Sequence, residues 1–319
     1  MKQEEEITYT NPHDRFFKAV FSDKHNAEGL LQGVLPVIYA GINKESLHID
    51  NTSYIKKELQ TEYSDLVYTC NYGKRQIKIA FLFEHKSTED TYVELQILQY
   101  IEQIWQQNRK QKIDLVPVIP IIFHHGERKL QLSAFKHFSD YPEEIKKYIP
   151  VFECELIDLT CLESEEIVNL FRIAQVSFSM VIFKYSRSNP EKIFEEFERF
   201  KNIFDVLTTI ESGKNLIFTS SHYIAMSTVL EKEKIISGFA KLNAEAEKIV
   251  KSTWEKEREK ALSEGIEKGI EKGIEKGKFE EKEKISIGLI KKNFSDETIS
   301  DITELSIEQI AEIRKKIQT

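Results

Sequence analysis

Two apolar runs separated by a short polar break constrain this chain more than anything else in it. Asp65-Leu66-Val67-Tyr68-Thr69-Cys70 and Gln76-Ile77-Lys78-Ile79-Ala80-Phe81-Leu82-Phe83-Glu84 flank Asn71-Tyr72-Gly73-Lys74. Strand-forming residues on both sides of an Asn/Gly break predict a β-hairpin. Side chains alternate across a strand, so Glu84 and Lys86 fall on one face and His85 on the other. Folding the hairpin returns Asp65 to the neighbourhood of Glu84 and Lys86. Two carboxylates and an amine at the end of a sheet are the residue types that metal-assisted phosphodiester hydrolysis needs.

That chemistry requires an activated water, neutralised charge at phosphorus and help for the leaving oxygen, all of which Mg²⁺ can supply. Mg²⁺ takes hard oxygen ligands, often one or two carboxylates with water completing the shell. Asp65 and Glu84 suit that role, with the backbone carbonyl of His85 as a third ligand. Lys86 supplies an ammonium for the attacking water or the developing phosphorane charge. Asp14 or Glu62 could add an outer carboxylate. His124-His125 on one strand face opposite ways, so one shared ion is disfavoured. Glu89, Asp90 and Glu94 read as an acidic cluster at a helix N-terminus, where the macrodipole favours them.

The net charge is −8, so the whole chain is no simple polycation for nucleic acid. Residues 1–150 carry 19 Lys+Arg against 21 Asp+Glu, and the remainder 26 against 32. A DNA groove must then be a local patch, drawn from Lys56, Lys57, Lys74, Arg75, Lys78, Arg109, Lys110 and Lys112. Cys70, Cys154 and Cys161 fit no zinc spacing and read as free thiols of a reducing compartment. The acidic start, Met1-Lys2-Gln3-Glu4-Glu5-Glu6, has no apolar core and is not read as a signal peptide. The longest apolar run, Leu115 to Phe123, is too short for a bilayer and contains Pro117 and Pro120. A cytoplasmic protein is the expectation.

Along the chain, Asn11 or Asp14 caps a helix with Phe16, Phe17, Val20 and Phe21 on one face. A second helix covers residues 26–35, and a link through residues 44–63 leads to the hairpin. Leu95, Leu98, Ile101, Ile104 and Trp105 stripe a helix over residues 91–108. Strands follow at 115–123 and 152–159. This mixture predicts an α/β layer domain ending near residue 160. Beyond Leu162 the pattern is helical, over 165–185, 190–211 and 222–249. Residues 265–277 repeat Gly-Ile-Glu-Lys at a period of four, close to one helical turn. The repeat reads either as a stalk whose glycines admit a partner helix, or as a solvated linker. In the tail, Ser306-Ile307-Glu308-Gln309 fits a capping box. The tail has a helix-turn-helix rhythm, but Glu304 stands where glycine is usual and Glu308 would face phosphates. A packing hairpin is the competing reading.

Asn11-Pro12-His13-Asp14-Arg15-Phe16-Phe17-Lys18 resembles the opening of the Rpn family of recombination-promoting nucleases. So do Tyr63-Ser64-Asp65-Leu66-Val67-Tyr68, Phe83-Glu84-His85-Lys86-Ser87, the run from Val116 to Gly126 and the glycine-stepped repeat. The resemblance implies a PD-(D/E)xK restriction-endonuclease-like core, a mixed sheet flanked by helices, with an α-helical C-terminal extension. Asp65 is then the motif aspartate, Glu84-His85-Lys86 the (D/E)-x-K element, and Asp14 the acidic residue of the first helix. Gln96 and Tyr100 match the polar face of the helix after the motif. The domains expected are 1–162 (nuclease-like), 163–260 (helical extension), 261–278 (repeat) and 279–319 (helical tail). The expected activity is a Mg²⁺-dependent DNA endonuclease, with Mn²⁺ as a substitute metal, assembled as a homo-oligomer, a dimer, through its C-terminal half and without membrane association. Lys74 and Arg75 are supporting DNA contacts. The alternatives are a catalytically silent nuclease-fold module that grips DNA or protein, and a regulator acting through its helical tail.

Overall fold

The computed structural model describes residues 11–50, 63–84, 93–130, 132, 138–150 and 152–318. The chain divides into two compact units, one ending at Lys251 and the other running Ser252–Thr319. The sequence reading set its domain boundaries after residues 162, 260 and 278.

The first unit opens with α1 (Pro12–Phe21), α2 (Lys24–Val34) and α3 (Pro36–Gly41), followed by β1 (Ile42–Ile49), β2 (Tyr63–Tyr72), β3 (Arg75–Glu84), α4 (Val93–Lys110), β4 (Val118–His124), α5 (Glu143–Lys146) and β5 (Glu155–Asp158). The strands form a mixed sheet in the order β1-β2-β3-β4-β5. β1–β2 and β2–β3 are antiparallel; β3–β4 and β4–β5 are parallel. The α/β expectation and the β2–β3 hairpin both hold. The turn is tighter than expected, because Asn71 and Tyr72 pair with Gln76 and Arg75. Only Gly73 and Lys74 remain, and Gly73 at φ 59 supplies the positive φ that a II′ hairpin turn needs at its first central position.

β1 replaces part of the link expected over residues 44–63. Its pattern is polar, with Asn43, Lys44, Glu45 and Ser46 in its middle, because it lies at the sheet edge. Pro36 follows the end of α2 at Val34, where the second helix was expected to stop. It occupies the first turn of α3, where its missing N–H is no loss.

The sheet is covered on both faces. On one, Val67, Ala80 and Ile122 pack against Val93, Ile97, Tyr100, Ile101 and Ile104 of α4. On the other, Phe17 meets Phe81 at 6.0 Å and Phe123 at 5.1 Å between ring centroids. The buried Tyr68 hydroxyl donates to the carbonyl of Phe21 at the end of α1. Each fully buried Phe contributes roughly 1.5–3 kcal/mol.

The helices after the sheet are α6 (Ser164–Leu170), α7 (Ala174–Ser188), α8 (Lys192–Arg199), α9 (Lys201–Phe204), α10 (Glu211–Ser227), α11 (Lys232–Ala240) and α12 (Ala244–Lys291). Those up to α11 are shorter and more numerous than the periodicity indicated, whereas α12 runs for 48 residues. Asn243 shows one cause: its amide donates to Asp205 and Thr208 while its oxygen accepts from the N–H of Ala246, which starts α12 afresh. α7 and α10 share the aromatic layer, with Phe183 5.2 Å from Phe123 and Tyr223 stacked on Phe16 at 4.3 Å. The repeat lies within α12.

In the second unit, α13 (Asp296–Thr303) and α14 (Ile307–Gln318) form a helical hairpin. Ile299, Leu305, Ile310 and Ile313 bury there with Ile290. The capping box forms as expected, Ser306 Oγ accepting from Gln309 N–H and Gln309 Oε1 from Ser306 N–H. Glu304 takes the left-handed conformation in the turn, at φ 55, where a glycine would be unstrained.

Lys78 corrects an expectation. It is no groove cation: it is 5% exposed and its ammonium is paired with the Asp50 carboxylate, which also accepts from Thr69. Removing one member of a buried pair leaves the other charge in low dielectric. Lys78→Met should therefore lower the unfolding free energy by about 3 kcal/mol in urea melts. Ablating both partners, as in Lys78→Met with Asp50→Leu, should recover most of that loss.

Candidate active site at the end of the sheet

α1 begins where its sequence says it should. Asn11 accepts from the N–H of His13 at 3.0 Å, and Pro12 occupies the first turn. Asp14 then sits in the first turn, its carboxylate 3.4 Å from Lys18.

The hairpin register sets the next two positions. Tyr63 is opposite Glu84 and Asp65 opposite Leu82. Positions 65 and 84 therefore lie on one face, one diagonal step apart. Val67 and Ala80, opposite each other on that same face, are buried against α4. Asp65 and Glu84 are placed here by their backbone alone. Glu62, His85, Lys86, Glu89 and Asp90, together with Lys56 and Lys57, lie outside the described residues.

Tyr100 is 4% exposed and belongs to the α4 cluster against this face, and Gln96 precedes it by one helical turn. Glu94 lies in the first turn of α4, as expected of an acidic residue at a helix N-terminus, and is buried at 6% exposure. Lys74 and Arg75 are not brought to the same place. Lys74 is in the hairpin turn and Arg75 opens β3, nine residues from Glu84, or about 30 Å at the usual rise per residue. Any DNA contact they make is remote from the carboxylates.

The parallel strand β4 ends beside β3, with His124 paired to Glu84. His124 is buried, and its Nε2–H donates to the Arg128 carbonyl at 2.7 Å. Gly126 permits that fold-back, since a Cβ there would lie 2.6 Å from His124 Cε1. His125, on the other face, is 1% exposed, and its ring centroid is 4.7 Å from that of His13. This contact brings the first turn of α1, and Asp14 with it, to the end of the sheet where β3 and β4 finish.

His13 Nδ1 is 2.6 Å from the Tyr223 hydroxyl, which is 2.9 Å from Ser186 Oγ. Burial, aided by the charge of Arg187, holds the His13 imidazole down to about 3. Burial also pushes the Tyr223 phenol above its ordinary range. Both are neutral at neutral pH. Sequence reasoning passed over His13, His125 and Tyr223 as components of one cluster. The signal available was that His13 and His125 each adjoin a motif residue; nothing local linked Tyr223 to either.

Among the described residues, no group of three or more His, Cys, Asp or Glu is placed to hold a metal. The donors expected from sequence, two carboxylates and a carbonyl, are hard oxygens of the kind Mg²⁺ takes. Cys70 is a buried thiol pushed up to about 11 by burial, in keeping with a structural role. No helix among the described residues is long and apolar enough to cross a membrane.

The family described as "Putative transposase, YhgA-like" matches residues 11–215. The chain is 28% identical over 174 residues to the "Inactive recombination-promoting nuclease-like protein RpnE" of Escherichia coli strain K12, covering 53% of this chain and 58% of that one. It is 26% identical over 174 residues to the "Recombination-promoting nuclease RpnD" of Escherichia coli O157:H7, covering 53% and 66%. It is 26% identical over 170 residues to the "Recombination-promoting nuclease RpnA" of strain K12, covering 52% and 58%. Each match spans less than two thirds of the relative's length. No solved structure matches the chain.

His13 gives the site an acid-side signature. Its folded value lies below the ordinary 6.5, so the unfolded chain takes up that proton first as pH falls. The stability tied to neutral His13 is complete above 6.5 and is lost as pH drops from 6.5 toward 3. Unfolding midpoints should fall across that window, and His13→Gln should make the fall shallower.

Proposed function

Since this chain belongs to the YhgA-like transposase family, we propose that it is a metal-dependent DNA endonuclease with a PD-(D/E)xK-type site at the end of the β2–β3 hairpin. The observation that carries the reading is the register that sets positions 65 and 84 on one face, one step apart. The names of the relatives RpnD and RpnA as nucleases support the same class.

In this reading Asp65, Glu84 and the His85 carbonyl would hold Mg²⁺, and Mn²⁺ would substitute. The bound ion would supply Lewis acidity at phosphorus and a lowered pKa for water. The rest falls to the chain itself. Lys86 orients the attacking water and offsets charge on the phosphorane oxygens. Asp14, delivered from α1, is an outer carboxylate that accepts the water's proton. Gln96 is the α4 residue left to support the DNA strand, since Tyr100, expected on the helix's polar face, is buried against the sheet and backs the face that carries positions 65 and 84. Because the ligands lie on a packed hairpin, their separation is fixed before substrate arrives, which reduces the ordering cost of reaching the transition state.

A second copy of the chain is the proposed partner, through α12. Ile270 and Ile274 are 58% and 55% exposed, and the space around Gly273 and Gly277 is open. Going round the helix, the isoleucine stripe has a glutamate row on one side and glycine then lysine on the other. A parallel, in-register copy sets glutamates against lysines across the stripe, as flanking charges do in parallel coiled coils. Replacing Ile270 and Ile274 by Ser should shift the sedimenting species toward monomer.

The alternative, a silent DNA- or protein-binding module, draws on the relative named inactive. The complete set of Asp65, Glu84 and Lys86 weighs against it. The two readings separate in one assay. Wild type should nick or linearise plasmid with Mg²⁺ and stop on adding EDTA. Asp65→Asn, Glu84→Gln and Lys86→Ala should each cut at least roughly 100-fold more slowly while keeping the wild-type melting curve. Tight DNA binding without cutting in the presence of Mg²⁺ would favour the silent module.

A further inference from the structure

A chain of hydrogen bonds runs from the helical extension to the first turn of α1, and the Phe183 carbonyl at its far end, which only accepts, favours one direction along it. Ser186 Oγ has one proton and donates it to the Phe183 carbonyl at 3.1 Å. It can then only accept from Tyr223, 2.9 Å away. In that direction the Tyr223 proton goes to Ser186 and its oxygen accepts from His13 Nδ1 at 2.6 Å. His13 is neutral because it is buried, so a proton on Nδ1 leaves Nε2 with its lone pair. The ring is also fixed in space. It packs 4.7 Å from His125 and 5.4 Å from the Tyr223 ring, while Tyr223 itself stacks on Phe16.

We propose that Tyr223, acting through His13, is a positioning residue for Asp14. It locks His13 in the Nδ1–H tautomer and pins the first turn of α1 to the sheet end. The inference rests on the nuclease reading for what Asp14 does there. His13 and Asp14 are consecutive in the first turn of α1, so a ring held by α10 on one side and His125 on the other fixes the backbone that carries the carboxylate. His125 directly follows the residue paired with Glu84, so the clamp is referenced to the strand bearing the metal ligands. α7 and α10 are on this account part of the site's scaffold. A chain cut at Leu162 would lose both Ser186 and Tyr223, the successive acceptors that orient His13.

The tautomer is read directly by ¹⁵N–¹H correlation on the full chain with labelled histidine. In wild type the His13 ring should show a protonated Nδ1, and Tyr223→Phe should lose that preference. Tyr223→Phe keeps the ring that stacks on Phe16, so its melting temperature should stay close to wild type. A protonated Nε2 in wild type overturns the proposal. In plasmid cleavage, Tyr223→Phe should lower kcat about tenfold, the scale of one lost hydrogen bond. KM for plasmid should be unchanged, and the loss should vanish in an Asp14→Asn background, because both changes remove one function. Wild-type cleavage by Tyr223→Phe, or losses that multiply independently, would also overturn it. Should wild type fail to cut while His13 shows the expected tautomer and the expected response to Tyr223→Phe, the nuclease reading falls and the Tyr223–His13 clamp is supported.

Discussion

The register between β2 and β3 is the constraint from which the rest of the first unit follows. Residues alternate faces with a period of two, so a slip of one residue would exchange every position between faces. Val67 and Ala80 would then confront the aromatic layer, and Tyr68 and Phe81 would confront α4. Neither face could absorb the exchange. The α4 side is built for small and aliphatic groups, with Ile97, Ile101 and Ile104 packed on Ala80 and Val67. The α1 side is built for rings, with Phe17 between Phe81 and Phe123. The same packing that stabilises the hairpin therefore decides which face positions 65 and 84 occupy. A catalytic arrangement resting on that register inherits the stiffness of the core.

The sheet is buried on both sides, and this decides what the helices after Leu162 are for. An aromatic face needs a cover, and α1 alone is ten residues long. α7 contributes Phe183 and α10 contributes Tyr223 to complete the layer. α7 and α10 are thus part of the first unit's core rather than a module appended to it. Polar groups enter that layer only as a linked set. Ser186, Tyr223 and His13 satisfy one another in sequence, which is how buried polar groups avoid the cost of desolvation without a partner.

Sequence alone revealed the parts whose signals are local. The hairpin showed itself through two apolar, strand-forming runs around an Asn/Gly break. α4 showed itself through its helical period, although Leu95 and Trp105 of the expected stripe are exposed and Ile97 and Tyr100 join Ile101 and Ile104 on the buried face; the tail's second helix showed itself through its capping box. β1 was hidden because an edge strand has no need of an apolar face, and the run Asn43-Lys44-Glu45-Ser46 looks like a loop. The interior helices were merged because their apolar residues face inward on several sides, which blurs the 3.6-residue period. Lys78 was read as exposed because a lysine usually is; only its partner Asp50, 28 residues earlier, explains its burial. The carboxylates were legible as a motif. The cluster of His13, His125 and Tyr223 was not, since its members are joined only by tertiary contacts.

The repeat in α12 poses a different physical problem from the core. An interior glycine costs a helix roughly 1 kcal/mol relative to alanine. Glycine every fourth residue weakens a helix that also leaves Ile270 and Ile274 more than half exposed. Neither feature helps a solvated linker, for which alanine or glutamine would give a stronger helix and a more soluble surface. Both help a helix that is to lie close against another: glycine removes the side chain that would hold the backbones apart, and isoleucine supplies apolar area to bury. The ordering of glutamate, isoleucine, glycine and lysine around the helix adds a preference for one direction of approach. Composition that is costly in the isolated helix becomes favourable in an assembled one, and this is the argument for reading the repeat as an interface.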